Sequence, residues 1–236
     1  MAAVTETPAI LDHRPVLDHG FVRLDAVMAD DLSVVNGARV SFARRKDEFD
    51  DADAGLIRFL MRDRHGTPFE HNAFRFHVRC PIFVAREWFR HRIGSFNEFS
   101  MRYAKATDDF YVPAPEDVRT QVGKPGAYTF ESVEPEVAES TREALESVYR
   151  TAYSAYEELV EAGIAREIAR CVLPVGAYTE FFWTVNARAL MNFVSLRAAE
   201  TAQREIRRYA EAVESFLAER MPVTHAAFVA NDRTAP

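Results

Sequence analysis

Residues 72–79 alternate between apolar and polar side chains, and this pattern restricts the segment to a β-strand. Phe74, Phe76 and Val78 fall on one face, while two arginines and a histidine fall on the other. Successive side chains of a strand point to opposite faces, so one face is expected on a core and the other in solvent. Pro81 follows directly and suits the first turn of a helix, which we predict to run to about Arg92.

The remaining segments indicate one α+β domain over residues 20–236, preceded by a flexible tail at residues 1–19. Further strands are predicted over residues 21–28 and 178–185, and helices over residues 31–42, 56–64, 135–160, 164–173, 187–199 and 203–220. Gly66 and Gly163 are expected to end two of these helices. Residues 104–130 carry several prolines and glycines and are predicted to form a long loop, which in other proteins is often a lid or an interface element.

Charge and hydropathy exclude several classes of protein. The chain of 236 residues has a net charge of −7, which argues against a stable nucleic-acid partner. No apolar run approaches the length that spans a membrane, and the N-terminus lacks the pattern of a signal peptide. We therefore expect a cytoplasmic protein without a membrane segment.

The cysteines and histidines do not predict a metal site. Cys80 and Cys171 are isolated in apolar surroundings, so we expect both in the core and no disulfide framework. The spacing of His65, His71 and His77 matches no zinc pattern, and two arginines share the strand face of His77 and would repel a dication. The chain also lacks Gly-x-Gly-x-x-Gly, so a Rossmann-type dinucleotide site is not supported.

The densest hydrogen-bonding chemistry lies in residues 90–103, which read RHRIGSFNEFSMRY. Arginine, serine, asparagine and glutamate in this order suit an anionic, polyfunctional small molecule. Beyond Gly94, an extended backbone would place Glu98, Ser100 and Arg102 on one side. The alternative is a polar strand face with an internal Glu98–Arg102 ion pair.

Two neighbouring features also allow two interpretations each. Arg86 and Arg90 are four residues apart on the predicted helix, where like charges cost a few tenths of a kcal/mol. A phosphate shared between them would reverse that cost, and an ion pair between Glu87 and Arg90 would also relieve it. His65 and Thr67 lie just after a predicted helix, in a Gly-Thr-Pro turn that either contacts a cofactor or is a simple turn.

Residues 90–102 match the pattern R-H-R-x-x-S-x-N-E-x-S-x-R of flavin-dependent thymidylate synthases at every fixed position, and the chain resembles that family from about Gly20 to Arg220. The other matching stretches are residues 38–42, 65–71, 181–188, 191–193 and 196–197. The resemblance implies a homotetramer of α+β subunits, each with a central, mostly antiparallel sheet flanked by long helices, and active sites shared between subunits. It also implies methylation of dUMP to dTMP in de novo dTMP biosynthesis. Methylenetetrahydrofolate would supply the carbon, reduced FAD the hydride, and NADPH the electrons that re-reduce the flavin, without a metal.

The resemblance assigns roles to individual residues. The implied FAD ligands are His65, Thr67, Arg90, His91, Arg92, Glu98, Asn186, Arg188 and Asn192, with Ser41 near the ligand. The implied dUMP ligands are Glu87, Arg90, Glu98, Phe99, Ser100, Met101, Arg102, Arg170 and Arg197. Arg197 is the implied catalytic residue, because a permanently charged guanidinium can bind uracil and stabilise its N3 anion. Family members often carry glutamine in place of Glu87, and we expect Arg90 to neutralise this carboxylate.

The spacing within the helix after Asn186 predicts ligands on two sides. Asn186 and Arg197 are about three turns apart and should share a face, whereas Arg188 and Asn192 should lie nearly opposite. Such a helix would lie between two ligands or at a subunit boundary.

Two other functions compete with the enzyme. One is a non-catalytic flavin- or nucleotide-binding protein of the same fold, which the complete set of matching residues opposes. The other is a single-stranded RNA binder that uses the arginines of residues 90–102 with Trp88 and Phe89, which the acidic net charge opposes. A flavin spectrum of the purified protein would discriminate between the RNA binder and the enzyme.

Overall fold

A computed structural model describes residues 13–124 and 126–236, in which seven strands and nine helices are assigned. The strands are β1 His13–Val16, β2 Gly20–Met28, β3 Ala73–Pro81, β4 Ser95–Glu98, β5 Arg119–Lys124, β6 Ala127–Ser132 and β7 Tyr178–Asn186. The helices are α1 Asp31–Arg39, α2 Asp51–Arg62, α3 Thr67–Glu70, α4 Ile82–Trp88, α5 Pro135–Glu161, α6 Arg166–Ala169, α7 Ala187–Arg197, α8 Arg204–Arg220 and α9 Pro222–Ala230.

The central sheet has five strands in the order β1-β2-β3-β7-β4, and all its neighbours pair antiparallel. Strands β5 and β6 form a separate hairpin. The predicted α+β domain with an antiparallel sheet is therefore confirmed. Within the two described ranges, no helix combines the length and apolar character that crossing a membrane requires.

The apolar face of β3 lies on the main core, as its alternation predicts. Phe74, Phe76 and Val78 are fully buried. Phe76 pairs opposite Trp183 of β7, with the ring centroids 5.7 Å apart, and the ring of Trp88 in α4 lies 5.3 Å from that of Trp183. Burying a large apolar side chain contributes about 1.5–3 kcal/mol. These rings therefore fix the position of α4 on the sheet.

Helices α7 and α8 complete the core over the same face. Asn186, the last residue of β7, is also the N-cap of α7, so strand and helix join without a loop. Phe193 of α7 stacks on Trp88 at 4.6 Å, and Tyr209 and Phe216 of α8 are fully buried. This packing brings the end of α4 against the C-terminal end of α7.

Part of the predicted N-terminal tail is a strand of the central sheet. β1 pairs with β2 from His13 opposite Arg23 to Val16 opposite Gly20, so the tail predicted for residues 1–19 is wrong from His13 onward. A strand of four residues is too short to show clear alternation. The rest of that predicted tail, residues 1–12, lies outside the described residues.

Helix α2 differs from its prediction at both ends. It starts at Asp51, because Asp50 and Asp53 form a capping box ahead of the apolar residues that the prediction relied on. It ends at Arg62, and Arg64, with φ of 58°, takes the left-handed position expected for Gly66. Gly66 instead precedes α3, where a Cβ would lie 2.4 Å from Nε of Arg188.

Three further expectations need correction. Helix α4 ends at Trp88 rather than near Arg92. Residues 104–130 are not one loop, because they include β5 and most of the β5–β6 hairpin, with Gly123 and Gly126 at positive φ near its turn. Cys80 is buried as expected, but Cys171 is exposed. It lies on a short 3-10 turn, Arg170–Val172, which has no buried residue.

Candidate active site

Two cavities meet where α4 ends beside α7. The larger has a volume of about 870 Å³ and is lined by Glu70, Arg90, His91, Arg92, Ile93, Asn186, Arg188, Ala189, Asn192, Leu196, Arg197, Ala235 and Pro236. The smaller has a volume of about 610 Å³ and is lined by Phe83, Arg86, Glu87, Arg90, Val175 and Arg197. Arg90 and Arg197 line both cavities, so ligands in the two would lie side by side.

The early end of α4 directs the first part of the 90–103 segment into the cavities. After Trp88 the chain turns, with the backbone N–H of Arg90 donating to the carbonyl of Glu87 at 3.3 Å and that of His91 to the carbonyl of Trp88 at 3.0 Å. Gly94 then allows β4 to approach β7, because an added Cβ would lie 2.8 Å from Nε1 of Trp183. The segment is thereby divided into a cavity-lining turn and an edge strand.

The residues predicted on α7 gather in the larger cavity rather than on opposite sides. Asn186, Arg188, Asn192 and Arg197 all line it, so the prediction of two opposed faces is wrong. Asn186 precedes the helix as its cap, where its side chain accepts from the N–H of Ala189 at 2.8 Å, and helical spacing does not describe it. The long Arg197 side chain reaches both cavities from the last turn.

Arg197 is held by three hydrogen bonds. Its Nε donates to Nε2 of His91 at 2.9 Å, its Nη1 to Oε2 of Glu87 at 3.1 Å and its Nη2 to the backbone carbonyl of Glu87 at 3.2 Å. Burial, and secondarily the Arg197 charge, lowers the pKa of His91 to about 4. His91 is therefore a neutral acceptor near neutral pH, with its proton on Nδ1.

The Glu87 carboxylate pairs with Arg197 and not with Arg90, so the expected neutralisation by Arg90 is wrong. Arg90 lies beyond the end of α4, and Arg197 reaches Glu87 through tertiary packing that spacing does not reveal. Burial raises the pKa of Glu87, Arg197 opposes that rise, and Glu205 adds to it. Three arginines, Arg86, Arg90 and Arg197, line the smaller cavity together with this one carboxylate.

Several predicted dUMP ligands lie elsewhere. The chain turns at Ser100, whose carbonyl accepts from the N–H groups of Tyr103 and Ala104 at 3.0 and 3.1 Å. The extended row of Glu98, Ser100 and Arg102 is therefore wrong. Glu98 accepts from Thr179 Oγ1 at 2.8 Å, and Arg102 pairs with Glu167 at 3.3 Å, so the alternative Glu98–Arg102 pair is also absent from the described residues. None of Glu98, Phe99, Ser100, Met101, Arg102 and Arg170 lines either cavity.

The predicted loop ligands also lie outside the cavities. His65 is exposed, with its ring 5.4 Å from that of Phe59, and exposed Thr67 begins α3. Ser41 is exposed on a 3-10 turn. Helix α3 nonetheless contributes Glu70 to the larger cavity. Sequence reasoning missed Glu70, although it lies in the matching stretch 65–71. Ala235 and Pro236 line that cavity without any signal in the sequence.

No cluster of acidic, histidine and cysteine side chains suits a metal ion in the described part of the chain. The larger cavity instead presents four arginines and two asparagines against one glutamate, a donor set that fits a phosphate-bearing cofactor with a polar ring edge. Its volume is within the range of cofactor sites.

Comparison with known proteins gives consistent results. The family model described as "Thymidylate synthase complementing protein" matches residues 23–223. A flavin-dependent thymidylate synthase from Thermotoga neapolitana is 49% identical over 217 residues, covering 91% of this chain and 93% of that protein. One from Streptomyces coelicolor is 46% identical over 228 residues, with 91% and 93% coverage.

Solved structures of a UMP/dUMP methylase, PolB from Streptomyces cacaoi, have the same fold. The structure with bound 5-Br UMP has a TM-score of 0.87 and 42% identity, and covers 96% of this chain and 99% of that one. The structure with 5-Br dUMP has the same TM-score and 44% identity, with 94% and 99% coverage.

Proposed function

Because the chain belongs to the family of flavin-dependent thymidylate synthases, we propose that it methylates dUMP to dTMP in de novo dTMP biosynthesis. Methylenetetrahydrofolate is the carbon donor, and NADPH re-reduces the flavin. Bound reduced FAD supplies the hydride of the reaction. The catalytic domain comprises the predicted residues 20–236 together with β1, which pairs with β2 in the same sheet, and we expect it to act in the cytoplasm.

The observation that carries this proposal is that Arg90 and Arg197 line both cavities. FAD in the larger cavity and dUMP in the smaller would then share a wall. The residues that would hold FAD there are Arg90, His91, Arg92, Asn186, Arg188 and Asn192, which are also implied by the family resemblance. Arginine suits pyrophosphate because its planar fork can donate two hydrogen bonds to one phosphate.

In the smaller cavity, Arg86 and Arg90 would bind the nucleotide phosphate and Arg197 the uracil. Arg197 is charged at any working pH and can stabilise negative charge on the pyrimidine without exchanging a proton. Neutral His91, which accepts from Nε of Arg197, holds the guanidinium plane in a fixed orientation. Partly buried Phe83 and exposed Val175 are the apolar residues that line this cavity, and they would contact the base.

We further propose a homotetramer whose sites are shared between subunits. The implied ligands Ser100, Arg102 and Arg170 do not line either cavity of their own chain, and neither do His65 and Thr67, so a second subunit would bring them to a site. Light scattering tests this proposal, and a fully active species near the chain mass of 26.8 kDa would refute it. Mixing inactive Arg90→Ala and Arg170→Ala subunits should restore activity if the two residues serve one site from different chains.

The decisive experiment is dUMP-dependent NADPH oxidation with methylenetetrahydrofolate, followed by chemical identification of dTMP. The purified protein should show a flavin spectrum, and omission of dUMP or the folate should abolish dTMP. A protein that binds flavin and dUMP but forms no dTMP under these conditions would support the non-catalytic binding protein instead.

A further inference from the structure

The Glu87 carboxylate is an acidic group in a cavity that otherwise suits an anion. It faces Arg197 at 3.1 Å, and Arg86 and Arg90 line the same space. Both side chains of the pair are partly buried, with 28% of Glu87 and 23% of Arg197 exposed. Charges in such a setting are screened less than at an open surface. A negative group there will affect any nucleotide monophosphate that enters.

Glu87 also competes for the donors of Arg197. An arginine has five N–H groups, and three of those on Arg197 are engaged by Glu87 and His91. The side-chain bond of Glu87 engages Nη1, one of the two nitrogens of the guanidinium fork. A pyrimidine that binds this fork through a carbonyl and a deprotonated ring nitrogen would compete with the carboxylate for Nη1.

We propose that Glu87 is a specificity-determining residue that serves as the internal counter-ion of Arg197 in the free enzyme and is displaced from it by the pyrimidine of the incoming nucleotide. This inference rests on the proposed binding of dUMP in the smaller cavity. The Glu87 carboxylate would thereby lower the affinity of the enzyme for its own substrate. Replacing that carboxylate by an uncharged side chain of the same shape should therefore tighten nucleotide binding.

The surroundings of Glu87 make this restraint depend on pH. Arg86 and Arg90 lie close to Glu87 in the sequence and line the cavity with it. Helix α7 contributes Arg197, and α8 contributes Glu205, which is itself paired with Arg119 at 3.2 Å. The neutral ring of His91 lies beside Arg197. Burial raises the pKa of Glu87 and Glu205 supports that rise, so protonation occurs at higher pH than for an exposed glutamate.

An approaching phosphate adds a like charge and would raise the pKa of Glu87 further. Nucleotide binding is then linked to proton uptake, so the affinity of the wild type for dUMP should weaken as pH rises through the titration of Glu87. Glutamine does not titrate, and a Glu87→Gln variant should lose this part of the pH dependence.

The test is dUMP binding to the flavin-loaded protein by calorimetry, from about pH 5.5 to about pH 8. Glu87→Gln should bind dUMP roughly threefold to thirtyfold more tightly than the wild type at the upper end, with a flatter pH profile. In turnover assays of Glu87→Gln, the KM for dUMP should fall by a larger factor than the factor by which kcat changes. Deoxyuridine, which lacks the phosphate, should show a gain in the same direction if the competition is at the base.

Two variants serve as controls. Glu87→Asp keeps the negative charge and should retain weak, pH-dependent binding. Glu211→Gln removes a charge from an exposed position on α8, 3.9 Å from Arg207, and should leave dUMP affinity unchanged. Equal or weaker dUMP binding by Glu87→Gln, or the same affinity for the Gln and Asp variants, would overturn the inference. A wild type that does not bind dUMP would refute the proposed function itself, so the two failures are distinguishable.

Discussion

The Arg188 guanidinium donates to the Glu70 carboxylate over 2.6 Å and so ties the first turn of α7 to the short helix α3. Its Nε also donates to the carbonyl of Pro236 at 2.7 Å. Gly66 supplies the space for this arrangement, because a Cβ there would lie 2.4 Å from Nε and 2.5 Å from Cζ of Arg188. The α3 segment and Pro236 therefore orient one arginine that is proposed to hold the flavin.

Gly66→Ala should weaken FAD binding by about threefold or more, since the added methyl group would push the Arg188 side chain from its place. The φ of Gly66, −75°, is accessible to alanine, so the cause would be contact rather than backbone strain. The measurement is a flavin titration of apoprotein. Gly55→Ala is the matched control, because its Cβ would approach nothing nearer than a side-chain nitrogen of Arg58 at 4.0 Å. If both variants bind FAD as the wild type does, Gly66 does not position Arg188.

Arg197→Lys should lower dTMP formation at least tenfold, which is about 1.4 kcal/mol of transition-state stabilisation. Lysine keeps the charge but cannot maintain the contacts that Nε, Nη1 and Nη2 make with His91 and Glu87. Flavin content should change little. Arg207→Lys, on the surface of α8, should retain full activity, and wild-type turnover in Arg197→Lys would remove Arg197 from the active site.

The two cysteines should be dispensable for chemistry but unequal in stability. Cys80 is fully buried, and burial raises the pKa of its thiol well above the usual range, so the thiolate is disfavoured. Cys80→Ser should lower the free energy of unfolding by about 1–3 kcal/mol, whereas Cys171→Ser, at an exposed site, should change it by less than about 0.5 kcal/mol. Both should still form dTMP. A folded, flavin-bound variant without dTMP synthesis would reinstate a covalent cysteine.

His91 should make the wild type less stable in acid. Its pKa is lowered to about 4 in the folded chain, so between about pH 6.5 and that value the unfolded chain binds a proton that the folded chain does not. The contribution of neutral His91 to the free energy of unfolding is complete above about pH 6.5. It falls as the pH drops towards 4, and below that pH it no longer changes. Relative to His91→Gln, the wild type should lose about 1–3 kcal/mol over this window.

Urea unfolding at a fixed protein concentration measures this loss at each pH. His71→Gln, at an exposed position, is the control and should follow the wild type. Parallel curves for the wild type and His91→Gln across the window would show that His91 is not held in its neutral form.

Sequence patterns predicted the elements whose apolar residues repeat with a clear period. β3, β7 and α8 match their predictions to within a few residues, because each buries one face against the core. The long helix α5 also matches its predicted range, although only Ala138 and Tyr156 of it are buried. The β5–β6 hairpin was mistaken for a loop since nearly all its residues are exposed and no alternation marks it. Helix α9 was missed because its residues Pro222–Ala230 are mostly apolar on all sides and too few to show a helical period.

For the candidate site, the matching motif predicted which residue types would gather but not their partners. Arg90, His91, Arg92 and the α7 residues do come together. The Glu87–Arg197 pair joins residues on α4 and α7, and their meeting depends on how Trp88 and Phe193 stack in the core. Such long-range packing has no local signal, so the assignment of Arg90 as the partner of Glu87 failed.

The strand order also has a consequence for synthesis of the protein. β1, β2 and β3 are consecutive neighbours and can pair once Pro81 has left the ribosome, whereas β4 lies at the sheet edge and pairs with β7, which ends at Asn186. At about 5–20 residues per second, synthesis reaches Asn186 several seconds after the 90–103 segment, so β4 has no partner strand during that interval. During that interval Phe96 lacks the ring contacts that it makes with Phe181 and Trp183 of β7 in the folded chain. The last third of the chain thus decides when the motif becomes ordered.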